Sequence, residues 1–174
     1  LYQTNEKERS FARSIEIIQN STPPKQVIGD LFRLMSGKNI MVLCGQLPED
    51  VALLQALELF AESSNVVVLT ENTSNLYSAR FNACIDRSLN KIDSTKEQDF
   101  MPEILISIGG AVVSKRIKSF LRRSSLMAHI KVGNAFPEMD TYQQLSHSFI
   151  CSPTSFFLAL NELGTVQSTV NFYG

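Results

Sequence analysis

Residues 104–121, ILISIGGAVVSKRIKSFL, carry the side chains best suited to hold a ligand. An apolar run ends in Gly109 and Gly110, and a helical pattern then opens with Ser114, Lys115 and Arg116. Strand, glycine turn and helix is the layout of a phosphate-binding turn, because the free N–H groups and the dipole of a helix N-terminus favour an anion. Neither standard form of that turn is complete. A dinucleotide fingerprint needs G-x-G-x-x-G, whereas Val112 and Val113 stand here where small residues are required. A P-loop needs a second glycine before its lysine and a hydroxyl after it, whereas Ser114 precedes Lys115 and Arg116 follows it, which argues against NTP hydrolysis. The cations still need a reason. With Ser114 as the expected N-cap, Lys115 and Arg116 fall in the first helical turn, where the dipole disfavours each by roughly 0.3–1 kcal/mol. A visiting anion would offset that cost, with lysine acting as a point charge and arginine as a bidentate donor. Adjacent helical side chains point ~100° apart, so one of the two is placed to reach a shared ligand. Solvated surface charges are the plainer alternative.

A second polar cluster, TENTSNL at 70–76, follows another apolar run. Ser74 and Asn75 are expected to serve the turn itself or a domain contact, since Ser, Thr and Asn bond readily to nearby backbone. Elsewhere the chemistry is sparse. His129 and His147 stand in no H-x-x-x-H or H-E-x-x-H pattern, and no serine stands in a G-x-S-x-G elbow. Cys44, Cys84 and Cys151 are too far apart to make a Cys-x-x-Cys pair, and each is expected to act as a small apolar residue. No protein-made metal site is expected.

The elements that must position these residues follow an alternating pattern. NIMVLCG, NVVVLTE, EILISIGG, HIKVGNAF and HSFICSP read as strands, five in all with room for a sixth. They are apolar throughout and separated by helical patterns, as in a parallel sheet covered on both faces. The expected architecture is therefore α/β, a doubly wound parallel sheet of five to six strands. A first helix enters at Pro23 and Pro24 and closes at Gly37. The second, from Pro48, should bury Val51, Leu54, Leu57 and Ala61, and the last should bury Phe156, Leu160 and Leu163. The stretch ARFNACIDRSLNKI has helical spacing at Phe81, Cys84 or Ile85, and Leu89. Residues 1–37 are expected to be a linker and N-terminal helix leading into an α/β domain at 38–174. In such a sheet, ligands bind beyond the carboxyl ends of the strands, which selects the loops at 44–50, 70–76, 109–116, 132–140 and 151–155.

Bulk properties narrow the class. A chain of 174 residues with 44% hydrophobic and 19% charged residues suits one globular domain. A net charge of −1 argues against a nucleic-acid partner. No apolar run approaches the ~20 residues that would span a membrane. The polar opening LYQTNEKERS, which begins at Leu1, is expected of a piece of something longer and carries no signal-peptide pattern; with the unpaired cysteines it points to the cytoplasm.

Four stretches taken in order, LY at the start, VLCGQL, TENTSNL and ILISIGGAVVSKRIKSFLRR, resemble the central domain of the 2-succinyl-5-enolpyruvyl-6-hydroxy-3-cyclohexene-1-carboxylate synthases of menaquinone biosynthesis. The family's frequent proline in the glycine turn is replaced here by Val112 and Val113, and its Asp-Pro after the fifth strand by Asp140 and Thr141. The resemblance implies a parent with flanking N- and C-terminal domains, absent from this chain, that hold thiamine diphosphate and magnesium (Mg2+). That parent would decarboxylate 2-oxoglutarate and add the succinyl unit to isochorismate, as a homodimer or homotetramer. The resemblance further implies that Lys115 binds a substrate carboxylate, with Arg116 beside it, that this domain holds no cofactor and that it is inert alone. Gly109, Gly110 and Ser114, with Ser74 and Asn75, are the accompanying loop positions. The other reading left open is a nucleotide-binding module of the same fold, for FAD, ADP or NAD.

Overall fold

The computed structural model describes residues 14–93 and 95–166. In chain order it contains β1 (Glu16–Gln19), α1 (Lys25–Met35), β2 (Ile40–Cys44), α2 (Val51–Phe60), β3 (Val66–Thr70), α3 (Ile85–Lys91), β4 (Ile104–Ile108), α4 (Lys115–Arg123), β5 (Ala128–Val132), β6 (His147–Ile150) and α5 (Pro153–Asn161), with short 3-10 turns at Asn72–Ser74 and Glu97–Phe100. The six strands form one sheet in the order β1-β6-β5-β4-β2-β3, every neighbouring pair parallel. The doubly wound α/β architecture expected from the alternating pattern is the one observed.

The apolar strands are explained by what covers them. Every residue of β2 is buried, and so is every residue of β4 except Ser107, which is half-buried. One face of the sheet packs on α1, α2 and α5 through residues such as Met35, Leu57, Phe149, Phe156 and Leu160; the other packs on α3 and α4 through Ile85, Ile117, Phe120 and Leu121. A fully buried side chain of this size contributes roughly 1.5–3 kcal/mol, so the pairs Ile40–Ile104 and Cys44–Ile108 at the two ends of the β2–β4 register lie inside a two-sided core.

Several elements differ from their expected form. The segment before Lys38 is part of the sheet and core: β1 pairs with β6 along its whole length, and Ile28, Leu31 and Met35 of α1 are buried in the same cluster as β2. The match at Leu1 and Tyr2 lies outside the described residues, as do residues 167–174 of the expected domain. Helix α2 buries Leu53, Ala56, Leu57 and Phe60, while Val51 is 60% exposed. VALLQALELF is apolar on most of its circumference, so periodicity alone selects no face. Contacts with α5 select it: Phe60 meets Phe157 at 5.3 Å between ring centroids, and the Asn161 amide donates to the Ala56 carbonyl at 2.9 Å. Asp50, not Pro48, caps α2 by accepting from Leu53 N–H at 2.9 Å, and its other oxygen accepts from Thr154 of α5 at 2.7 Å. In α5, Phe157 joins Phe156 and Leu160 in the core, and Leu163 lies past the helix end and is 46% exposed. Helix α3 starts only at Ile85, because Asn82 pairs with Leu69 and hydrogen bonds to Val68 and Thr70, covering the free edge of β3. A backbone committed to a sheet edge cannot also enter a helix.

Candidate binding site at the carboxyl edge of the sheet

The chain reverses its direction of travel across the sheet between β2 and β4, whose following loops enter α2 on one face and α4 on the other. A crevice at such a reversal is where α/β sheets bind ligands. Here the two loops close on each other. Gly45 N–H donates to Ile108 O at 3.0 Å, Gln46 N–H to Ala111 O at 3.2 Å and Gly110 N–H to Gln46 O at 2.7 Å. A Cβ on Gly45 would lie 2.3 Å from Gly110 O, and one on Gly109, whose φ is +77°, 2.7 Å from Gln46 O. Gly109 of the turn and Gly45 of the facing loop are thus required by the approach of the two loops, a contact between distant parts of the chain that takes the place of a pyrophosphate, whereas a Cβ on Gly110 would meet Gln46 only at 3.5 Å.

The N-terminus of α4 is formed as its sequence suggests and occupied in a way that it does not. Ser114 caps the helix, its Oγ accepting from Ile117 N–H at 3.2 Å and donating to Asp86 Oδ1 at 2.5 Å. Ahead of it, Val113 N–H and Ser114 N–H both donate to Oε1 of Glu71 at 3.0 Å. A carboxylate from the end of β3 therefore stands where an anionic ligand of a helix N-terminus would stand, which relieves the unfavourable placement of Lys115 and Arg116. The two cations then differ. The Arg116 guanidinium donates to Asn90 Oδ1 on α3, while Lys115 is exposed and makes no ion pair or side-chain hydrogen bond among the described residues.

Lys115, Arg116 and Ser114 line a cavity of about 610 Å3 with Glu71, Asp86 and Arg87. Of its charged residues three are basic and two acidic, so the lining carries one net positive charge, and Lys115 and Arg87 are its cations without a side-chain partner among the described residues. Gly109 and Gly110 line a separate cavity of about 630 Å3 with Lys118, His129, Lys131 and Tyr142. His129 is buried in β5; its Nε2 lies 2.8 Å from Ser107 Oγ, its Nδ1 has no hydrogen-bond partner, and burial pulls the imidazole down to about 4 against a smaller upward pull from Asp140. Ser74 and Asn75 line neither cavity. Ser74 is fully buried, and Asn75, at φ +54°, donates its amide to Leu47 O at 2.7 Å, tying the 71–76 turn to loop 44–47. Sequence reasoning missed Asp86 and Arg87, whose place beside Lys115 comes from α3 packing on α4, and it singled out the stretch TENTSNL without the role of Glu71 in it. The one usable signal was an acid and a base together at the start of α3.

Of the three cysteines expected to be small apolar residues, Cys44 and Cys151 are buried, with burial pushing both thiols up, Cys151 to about 11. Cys84 is exposed at the rim of the Lys115 cavity, because it sits at the N-terminal boundary of α3 and not on its buried face. Brief treatment of the native protein with iodoacetamide should therefore add one carbamidomethyl group, mapped by peptide mass to Cys84. Early labelling of Cys44 would contradict the packing of β2. Among the described residues no group of three or more His, Cys, Asp or Glu side chains is placed to hold a metal ion, and no helix is long and apolar enough to cross a membrane.

No protein-family model matches the chain. It is 38% identical over 123 residues to 2-succinyl-5-enolpyruvyl-6-hydroxy-3-cyclohexene-1-carboxylate synthase of Flavobacterium johnsoniae, a match covering 70% of this chain and 22% of that protein. The synthase of the same name from Flavobacterium psychrophilum is 31% identical over 157 residues, covering 90% of this chain and 28% of the relative. That of Desulfotalea psychrophila is 35% identical over 123 residues, covering 71% and 23%. The chain thus spans between a fifth and a third of the length of the curated relatives it matches.

Proposed function

The chain belongs to the 2-succinyl-5-enolpyruvyl-6-hydroxy-3-cyclohexene-1-carboxylate synthase family as one segment of it, and from that premise we propose that it is the central domain of such a synthase and lends the enzyme a substrate-binding cation, Lys115. The observation that carries this reading is the state of the α4 N-terminus. The amides of Val113 and Ser114 just ahead of the helix are held by Glu71 and its arginine is held by Asn90, which leaves its lysine, with Arg87 of α3 in the same lining, to meet a carboxylate in a cavity with net positive charge. An ammonium group there would donate to one carboxylate of a dicarboxylic substrate and fix its position without taking part in bond making.

In this reading the whole protein decarboxylates 2-oxoglutarate and joins the succinyl unit to isochorismate in menaquinone biosynthesis, in the cytoplasm, as a homodimer or homotetramer. Thiamine diphosphate, with magnesium, would supply stabilisation of negative charge at the decarboxylated carbon and would be held by the flanking domains. Among the described residues of this chain no group of three or more His, Cys, Asp or Glu side chains is placed to hold that metal. The segment's own work is to bind, to orient and to hold its neighbours together, and it is inert alone. A nucleotide-binding reading has in its favour the second cavity beside Gly109 and Gly110. The closure of the turn on loop 44–47 opposes it, because the N–H of Gly110 is already taken.

The test is an assay of the full-length protein carrying this chain, with thiamine diphosphate and magnesium present. Carbon dioxide release that requires both 2-oxoglutarate and isochorismate is the expected result, with none from residues 1–174 alone. Lack of turnover in the full-length protein would overturn the reading. FAD or ADP released from it on denaturation would favour the nucleotide-binding alternative.

A further inference from the structure

We infer that Glu71 is a positioning residue for Lys115: a carboxylate built into the chain that takes the anion place at the N-terminus of α4 and so fixes where the first-turn lysine meets its ligand. The inference rests on the substrate-binding role proposed for Lys115 and deepens it.

Glu71 is held on both sides before its side chain makes any bond. Its N–H donates to Cys44 O at 3.1 Å, at the end of β2, and its carbonyl accepts from Ser74 N–H at 2.9 Å in the following 3-10 turn. From that fixed base one oxygen accepts from both Val113 and Ser114. Val113 and Ser114, the two residues before Lys115, are thereby tied to the ends of β2 and β3. Residues 111–113 leading into α4 contain no element of secondary structure; Val112 is buried in the core and Ala111 O accepts from Gln46 N–H, but Val113, next to the cap, is 69% exposed, so its own side chain does not hold the last step into the helix. Asp86 supports the same helix end through the Ser114 hydroxyl, but it comes from the exposed start of α3. A single charged acceptor thus governs the backbone one residue ahead of Lys115, and both side chains face the same cavity. Carboxylates that accept backbone N–H groups make charge-assisted bonds, roughly twice as strong as neutral ones. Their loss would let the entrance of α4 shift, and small displacements of a binding group lower the population of productive complexes.

The experiment is a double-mutant cycle in the full-length protein, with Glu71→Ala, Lys115→Ala and the pair, read as kcat and KM for each dicarboxylate separately. Glu71→Ala alone should raise KM about five- to tenfold for the one substrate that Lys115→Ala affects, with kcat changed less than about twofold. In the Lys115→Ala background it should add nothing further, because a residue that acts through another loses its effect when that other is gone. Glu71→Gln, which keeps an acceptor oxygen and preserves the fold if the alanine variant does not express, should lie between wild type and Glu71→Ala. A general structural role would instead lower stability and depress kcat for both substrates alike. An effect of Glu71 that is fully additive with that of Lys115, or equal for both substrates, overturns the positioning role while leaving the Lys115 reading in place. Unchanged kinetics in Lys115→Ala overturns both.

Discussion

Lys115→Ala in the full-length protein is expected to lower kcat/KM for one of the two dicarboxylates by one to two orders of magnitude and to leave the other nearly unchanged. A hydrogen bond to a charged group is worth ~1.5–3 kcal/mol, and loss of a contact that helps the transition state appears in kcat/KM in full. Arg116 is directed to Asn90 on α3 and is not free to replace the lysine, and Arg87, which lines the same cavity from α3, is the cation left there without a side-chain partner among the described residues. Lys115→Arg should restore only part of the loss, since a planar guanidinium on a longer side chain does not put its charge where an ammonium puts it. The fold should not suffer. Lys115 is exposed, and Glu71 already offsets the dipole's cost for a cation at this helix end, so thermal melting of Lys115→Ala should match wild type. Steady-state kinetics with each substrate varied in turn, beside a melting curve, checks both halves. A variant that is less active only because it is less stable would contradict the binding role.

Acid should weaken this protein by about 3 kcal/mol between pH 6.5 and 4 through one buried histidine. The His129 ring is 1% exposed, against Ser107 on one side and the edge of Tyr142 on the other, at 5.3 Å between ring centroids. Desolvation holds its folded value down at about 4, opposed by Asp140, whose carboxylate lies 3.9 Å from Nδ1, and reinforced by Lys131. The unfolded chain takes up the same proton near 6.5, so between the two values the unfolded state binds more protons and stability falls as pH falls; above 6.5 the group contributes no slope, and below about 4 the loss is complete. The carboxylates of Asp50 and Glu103 are lowered instead. Thr154 is the largest cause at Asp50; at Glu103 burial pushes up, and the bonds from Lys38 and Asn39 with the charge of Lys38 together outweigh it. Their contribution is therefore lost at lower pH, as protons reach those carboxylates. Urea titrations from pH 7.5 to 4 on wild type and His129→Gln separate the contributions. The wild type should lose stability through the histidine window and the variant should not. Equal slopes would show that the ring is solvated or already charged in the folded protein.

The alternation of apolar runs and helices made the parallel sheet legible, because a strand covered on both faces has no polar position, and β2, β3, β4 and β6 fall within the runs that announced them, with β5 starting one residue before its own. The N-cap role of Ser114 was legible as well, since capping depends on residues within four positions of each other. Helix α2 shows the limit of local reading. An element apolar on most sides presents several equivalent faces, and only the rings of α5 chose Phe60 over Val51. The early boundary at Lys38 had the same origin, since EIIQ is too short and too polar at its ends to announce a strand, and becomes one by pairing with β6. At the candidate site the sequence determined which residue types stand at the entrance of α4: two glycines, a capping serine and two cations. Tertiary structure alone decided what they do. Glu71 lies 43 positions before Ser114, and Gly45 lies 65 positions before Gly110. No spacing rule links residues so distant in the chain. They meet because β2, β3 and β4 are neighbours in the sheet and end at one edge, which leaves the loops that follow them to supply one another's hydrogen-bond partners.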